Sequence, residues 1–137
     1  MKKTIIAIDG PAGSGKGKIA KYISNKWKFK HLDSGSIYRR LAHVLLKEKI
    51  DVTSKKKIEK IINENETLKY KNLKVLRSEK ISKIASKIAT YQFVRDYINK
   101  IQRNFVFNNF KNKCFVIDGR DIGSVVFKNA DLKLYIE

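Results

Sequence analysis

GPAGSGKGK, at residues 10–18, places four glycines and two lysines between a short apolar run and the start of a helical pattern. The spacing from Gly10 to Lys16 is typical of a P-loop, in which backbone N–H groups of a glycine-rich turn surround phosphate oxygens. The following helix N-terminus adds partial positive charge, and the lysine adds a full one. The usual P-loop ends in Gly-Lys-Ser/Thr, but here Gly17 and Lys18 follow Lys16. The stretch therefore predicts a phosphate-binding turn that lacks its hydroxyl group.

The other glycines fall at only two places, Gly35 in LDSGS and Gly119 and Gly123 in DGRDIG. Each glycine-containing place follows a short apolar run, as expected of a buried strand. These runs cover residues 4–8, 29–32 and 114–117, and a fourth covers 132–136. Ligands of open parallel sheets bind beyond the carboxyl ends of the strands. We therefore expect the three glycine places to surround one site.

Helical periodicity separates the predicted strands. Ile19, Ile23 and Trp27 recur every four residues, and further apolar stripes cover residues 37–45, 81–89 and 94–105. The most polar part, residues 51–75, is interpreted as a short helix and a connecting segment. Alternating strands and helices predict an α/β fold, with a parallel sheet and helices on both of its faces.

Length and composition favour a single globular domain spanning residues 1–137. The formal charge of +18 suits an anionic partner, but the lysines are scattered over nearly every segment. Several of these charges are enough for an anionic substrate site, so we expect no specific nucleic acid partner.

The cysteine and histidine content and the lengths of the apolar runs disfavour disulfide-linked, metal-binding, secreted and membrane proteins. Cys114 is the only cysteine, which excludes an internal disulfide, and His31 and His43 stand alone rather than in a metal-binding cluster. No apolar run approaches the ~18 residues of a membrane span, and the run after MKK is too short for a signal peptide. We expect a cytoplasmic protein whose partners are small molecules rather than membranes.

The second and third motifs offer groups suited to phosphate and magnesium. In LDSGSIYRR, Arg39 can make paired, charge-assisted bonds to phosphate, whereas Ser34 or Ser36 can equally be an ordinary helix cap. In VIDGRDIG, Asp118 ends an apolar strand, which is where P-loop enzymes keep the acid that organises Mg²⁺. The Arg120 and Asp121 that follow also fit a plain turn with a salt bridge.

Taken together, GPAGSGKG, LDSGSIYR and DGRDIGSVVF resemble bacterial cytidylate kinases, which transfer the γ-phosphate of ATP to CMP or dCMP. The segment ASKIATYQFVRDYINKIQRNF resembles the part of those enzymes that holds the cytosine ring. The resemblance runs in order from residue 4 to residue 137 and implies the P-loop nucleoside monophosphate kinase fold. Because the family loop reads Gly-Lys-Gly-Thr, Gly17 is the expected residue. Only Lys18 departs from the loop pattern.

The resemblance also implies a set of site residues. Those expected to bind ATP are Gly10, Pro11, Ala12, Gly13, Ser14, Gly15, Lys16, Gly17 and Lys18. Those expected to bind CMP are Asp33, Ser34, Arg39, Ser86, Arg95, Arg120 and Asp121, with Ser86, Arg95 and Asp121 facing the cytosine edge. Lys16, Arg39, Asp118 and Arg120 are expected to carry catalysis, with Asp118 binding Mg²⁺ through water.

Family members continue past the position of Glu137 into a lid with arginines, a fifth strand and a closing helix. We therefore expect a C-terminally truncated, monomeric kinase core without lid, last strand or last helix, in which a helical insert at about 40–110 binds CMP. A small sheet near residues 51–76 is expected to be reduced. Three alternatives remain: another small-molecule P-loop kinase, a non-catalytic nucleotide- or nucleic-acid-binding fragment, and a truncation that folds poorly because its fourth strand is exposed.

Overall fold

Helical elements separate the strands along the chain, as the sequence predicts. The structure, a computed structural model, describes residues 2–64 and 78–137. The elements are β1 (Thr4–Asp9), α1 (Lys16–Trp27), β2 (Lys30–Asp33), α2 (Ser34–Lys47), α3 (Lys55–Glu64), α4 (Glu79–Ile88), α5 (Gln92–Phe107), β3 (Cys114–Gly119), a π-helical turn (Ile122–Val126) and β4 (Leu132–Tyr135). The predicted connecting segment falls mainly on residues 65–77, which lie outside the described residues, as does part of the range predicted for the reduced sheet.

The chain divides into two compact units. One comprises Met1–Ser34 and Ile101–Glu137, and the other comprises Gly35–Lys100. The first unit holds all four strands, whereas the second is built from helices. The helical insert predicted at about 40–110 stays a prediction as a CMP-binding element.

The four strands of the first unit form one parallel sheet in the order β2-β3-β1-β4. In the register of this sheet Asp9 is opposite Gly119, and Asp33 is opposite Asp118. The carboxyl ends of β1, β2 and β3 therefore lie side by side. The predicted α/β fold with a parallel sheet is confirmed, and these three strand ends meet at one edge.

Helices cover both faces of this sheet. On one face Ile8 and Val116 pack with Ala20 and Ile23 of α1 in a buried cluster. Phe115 points to the other face, where its ring meets Phe105 of α5 edge-on, with centroids 6.1 Å apart and planes at 76°. The alternation of Phe115 and Val116 follows from the two-residue period of a strand.

The predicted apolar stripe of α1 is wrong at its last member. Ile23 is buried, but Trp27 is 56% exposed. At 3.6 residues per turn, positions eight apart are displaced by about 80° around a helix, so Trp27 leaves the face that Ile19 occupies. Its ring instead lies 5.0 Å from the ammonium of Lys26.

The second unit has a core of aliphatic side chains. Each of its helices contributes to the residues that are buried, which are Ile37, Leu41, Ala42 and Leu45 from α2, Ile58, Ile61 and Ile62 from α3, Ile81, Ala85 and Ile88 from α4, and Val94 and Ile98 from α5. The Tyr91 hydroxyl donates to the backbone oxygen of Val52 at 2.8 Å, which joins the turn before α5 to the segment before α3.

Replacing Ser78 with alanine is expected to lower the free energy of unfolding by about 1 kcal/mol. Ser78 is the N-cap of α4, and its hydroxyl accepts the N–H of Ile81 at 3.2 Å. Alanine leaves that N–H without its partner. Urea denaturation followed by circular dichroism measures the change. Ser82→Ala, at an exposed position within the same helix, is the matched control. A Ser78→Ala protein as stable as the Ser82→Ala protein would contradict the capping role.

Candidate phosphate-binding site

The glycine-rich loop leads directly into α1. Gly15 immediately precedes the helix with φ 90°, a left-handed conformation that residues with a side chain adopt at a cost. No side chain caps this helix start. The first N–H groups of a helix have no partner within the helix, so here they remain available to an acceptor. An anion such as phosphate is the acceptor that a helix N-terminus favours.

Lys16 and Ser14 add side-chain donors to the loop. The Lys16 ammonium donates to the backbone oxygen of Pro11 at 3.1 Å, so it is held back over its own loop. The Ser14 hydroxyl is buried and has no hydrogen-bond partner among the described residues. A buried hydroxyl normally has such a partner, so Ser14 can serve a ligand oxygen. Lys18, at the position where the family keeps its hydroxyl, is exposed on α1.

Asp118 brings the third motif against this loop. The residue as a whole is 4% exposed at the end of β3. One carboxylate oxygen, Oδ1, is hydrogen-bonded to Nε2 of His31. The other, Oδ2, lies on the loop side, since a Cβ placed on Gly17 would be 3.8 Å from it. The structure thus brings together the loop and Asp118, as the sequence predicts.

His31 has a carboxylate partner that the sequence did not predict. Its partner Asp118 lies 87 residues further along the chain, on the neighbouring strand. His31 and Val116 are register partners between β2 and β3, and side chains two residues apart share a face of the sheet. His31 therefore projects on the same face as Asp118. Sequence spacing contains no signal for this pair, because only the register of the two strands creates it.

Asp9 is a second residue that the sequence reasoning missed. Its two carboxylate oxygens accept the N–H groups of Ile122 and Gly123, at 2.7 and 2.9 Å. These bonds tie the π-helical turn after β3 to the end of β1. A carboxylate between a buried strand and the first glycine of the loop was the available signal, since such a position faces the sheet edge.

Ser34 and the third motif approach each other closely. Ser34 is the first residue of α2 and is 4% exposed. A Cβ on Gly119 would lie only 2.6 Å from the Cβ of Ser34, so glycine is needed at that position. Asp33, paired in register with Asp118, ends β2 just before Ser34. Arg120 and Asp121 are exposed, and Asp121 has φ 56° before the π-helical turn.

The remaining predicted CMP residues lie in the second unit. Arg39 is half-buried on α2, and Ser86 is exposed on α4. Arg95 of α5 donates to the backbone oxygen of Ala89 at 2.8 Å and contacts the side chain of Gln92. Within the described part of the chain, no hydrogen bond joins Ser86 to Arg95. Their predicted roles stay predictions.

Residues that could ligate a metal are sparse in the described structure. Over residues 2–64 and 78–137 no group of three His, Cys, Asp or Glu side chains could hold an ion. A bound Mg²⁺ commonly takes only one or two carboxylates together with substrate phosphates and water. Asp118, beside the phosphate loop, fits that arrangement. None of the described helices is long and apolar enough to cross a membrane.

Comparison with known proteins agrees with these motifs. The family model described as cytidylate kinase matches residues 6–137. The chain is 41% identical over 138 residues to the cytidylate kinase of Bartonella quintana and 37% identical over 145 residues to that of Fusobacterium nucleatum subsp. nucleatum, covering 99% of the chain in both cases. It is also 40% identical over 149 residues, 98% of the chain, to a bifunctional pantoate ligase/cytidylate kinase of Prochlorococcus marinus.

The alignments differ in how much of each relative they cover. The chain spans 61% and 65% of the length of the Bartonella and Fusobacterium proteins, and 28% of the bifunctional one. The family model nevertheless covers nearly the whole chain and includes the loop, Asp118 and the turn that Asp9 holds. This chain therefore belongs to the cytidylate kinase family.

Proposed function

We propose that this chain is the nucleotide-binding core of a kinase that transfers the γ-phosphate of ATP to CMP or dCMP, giving CDP or dCDP. The observation that carries the proposal is the position of Asp118 Oδ2 beside the glycine-rich loop, at the start of an uncapped helix. Hydrogen-bond donors for phosphate and a carboxylate that suits a metal-bound nucleotide therefore lie close together. Membership of the cytidylate kinase family supports cytidine nucleotides as the acceptors.

In this proposal the loop holds ATP by its charge and its N–H groups. The N–H groups of residues 12–17 surround the phosphates, and Lys16 exchanges its bond to the Pro11 oxygen for bonds to the nucleotide. The Ser14 hydroxyl gains the partner that it lacks. Asp118 orients water bound to Mg²⁺. The ion, when bound, offsets charge on the phosphates, as in other phosphoryl transfer enzymes.

Two groups of residues are proposed to bind CMP. The first group, Ser34, Arg39 and Arg120, binds its phosphate. The second group, Ser86, Arg95 and Asp121, binds the cytosine edge. Asp33, which precedes Ser34 in the sequence, is also proposed to contact CMP. Arg95 uses two of the five N–H donors of a guanidinium for Ala89 and Gln92, so it retains donors for the cytosine oxygen. An oxygen of the CMP phosphate attacks the γ-phosphorus directly, and the bond to ADP breaks.

A screen of acceptors tests the proposal. The chain is incubated with ATP, Mg²⁺ and CMP, dCMP, UMP or AMP, and nucleotide products are separated by anion-exchange chromatography. We expect CDP and dCDP with ADP, and at least about tenfold less product from UMP or AMP, as expected when one buried hydrogen-bonding edge is mismatched. Equal use of all four would contradict a cytidine site.

We also propose that the protein acts as a monomer in the cytoplasm, where its nucleotide substrates occur.

One observation favours a second candidate, a non-catalytic nucleic-acid-binding protein. The net charge of +18 exceeds what a nucleotide site requires. RNA binding that weakens steeply with salt, together with no ATP turnover, would favour that candidate. Product formation with a strong preference for CMP would favour the kinase.

Arg39→Ala is expected to raise KM for CMP by roughly 10- to 100-fold, which corresponds to loss of a charge-assisted hydrogen-bonded contact. KM for ATP should change little, because the proposed ATP contacts lie in the loop. Initial rates at varied CMP and ATP measure both constants. Lys47→Ala removes an exposed charge from the same helix and serves as the control. Unchanged dependence on CMP concentration would rule out the role of Arg39.

A further inference from the structure

We propose that His31 is a positioning residue for Asp118. By binding Oδ1, it leaves Oδ2 as the carboxylate oxygen turned toward the phosphate loop. This inference rests on the proposed function, in which Asp118 orients magnesium-bound water. The resemblance to cytidylate kinases assigned no role to His31.

The position of His31 in the sheet supports this role. His31 lies on β2, and its register partner Val116 stands two residues before Asp118 on β3. Its side chain is 18% exposed and that of Asp118 is 5% exposed, so water has little access to their contact. Both ends of the pair belong to strands of one parallel sheet, which holds their backbones in fixed register. The imidazole therefore restricts rotation of the carboxylate.

The chemistry of the pair determines which atom donates the hydrogen bond and which oxygen remains available. An ionised carboxylate only accepts hydrogen bonds, so Nε2 of His31 must carry the proton that it donates to Oδ1. The second oxygen lies on the side of Gly17, where no side chain intervenes. Mg²⁺ requires near-ideal octahedral geometry and keeps several waters. A single carboxylate oxygen held in one orientation suits that demand better than a rotating carboxylate.

A purely structural role for His31 is the competing explanation. In that case His31 would only supply a partner to a buried charge, and its loss would lower stability without affecting magnesium. The two explanations differ in magnesium coupling, which is the ratio of nucleotide affinity measured with Mg²⁺ to that measured with EDTA. Titration with a fluorescent N-methylanthraniloyl-ATP gives both affinities without requiring turnover.

Two substitutions at His31 separate the effect of the hydrogen-bond donor from the effect of side-chain size. His31→Gln keeps an N–H donor at a reach close to that of Nε2, whereas His31→Leu keeps similar bulk and removes the donor. Lys30→Leu, at the exposed neighbouring position of the same strand, is the control. Thermal unfolding of each protein verifies that it is folded before the titration.

We expect His31→Leu to reduce magnesium coupling by about tenfold, since groups that orient metal-binding side chains typically account for 10- to 100-fold in metal affinity. His31→Gln should keep coupling within about threefold of the unmodified protein, and Lys30→Leu should match it. Affinity in EDTA should be unchanged throughout. If His31→Leu does not fold, His31→Asn takes its place, because that shorter amide stays polar but does not reach Oδ1.

The outcomes distinguish this inference from the proposed function. Equal magnesium coupling in His31→Leu, or His31→Asn, and in the unmodified protein would overturn the inference and leave the kinase proposal standing. Loss of coupling in His31→Gln as large as in His31→Leu would also overturn it, because the donor would then not matter. An unmodified protein that binds no nucleotide, with or without Mg²⁺, would defeat the proposed function and this inference with it.

Discussion

Lys16→Ala is expected to lower kcat/KM for ATP-dependent phosphorylation of CMP by at least roughly 100- to 1,000-fold, the range found when one donor to a developing negative charge is removed. Lys16 begins α1, and its ammonium lies over the loop, bound to the Pro11 oxygen at 3.1 Å. Alanine removes that charge from the place where the nucleotide phosphates are proposed to bind. Anion-exchange analysis of CDP formation at varied ATP measures the effect.

Stability should change little in this variant, because alanine is the best helix former and the lost bond is exposed. Lys21→Ala removes an exposed lysine from the same helix and should retain full activity. If Lys16→Ala kept as much activity as Lys21→Ala, Lys16 would have no role in transfer. Comparing the two variants separates a local effect from the general loss of one positive charge in a protein that carries +18.

The strands and the phosphate loop were predictable because local sequence determines them. Each apolar run of the first three strands ends at an aspartate, and a short run of aliphatic and aromatic residues between turn residues is typical of a strand buried in a parallel sheet. Strands β1 and β3 extend their predicted runs by one or two residues, β2 is shifted by one residue, and β4 ends one residue earlier than predicted. The start of α1 was predictable for the same reason, since glycines stand where the chain must turn into the helix.

Contacts between distant strands could not be predicted in the same way. The His31–Asp118 pair and the bonds from Asp9 to Ile122 and Gly123 depend on the strand order and register. Those are properties of the assembled sheet, and a shift of one residue would turn His31 to the opposite face. Sequence spacing was likewise a poor guide to Trp27, because a four-residue repeat drifts around a helix.

Gly119→Ala is expected to lower the free energy of unfolding by about 1–3 kcal/mol, as overpacking of a closely packed position does. An added Cβ would lie 2.6 Å from Ser34 Cβ and 3.0 Å from Ile122 Cδ1. Ser34 Cβ is attached directly to the backbone at the start of α2, so only a backbone shift can relieve the contact. Urea denaturation measures the loss of stability. Affinity for CMP, measured by titration, is also expected to fall, because Ser34 is displaced.

Gly123→Ala is the matched control, because the two glycines belong to one motif but differ in what a Cβ would meet. At Gly123 the nearest atoms are Cγ and Cδ of Lys133, at 3.1 Å. A lysine stem rotates away at little cost, so Gly123→Ala should change stability by no more than about 0.5 kcal/mol. In the Ser34→Gly background, where the opposing Cβ is absent, Gly119→Ala should lose most of its effect, since residues in contact are not additive. Equal losses at Gly119 and Gly123, or a Gly119→Ala loss that persists without the Ser34 side chain, would show that close approach of Ser34 does not require glycine at the end of β3.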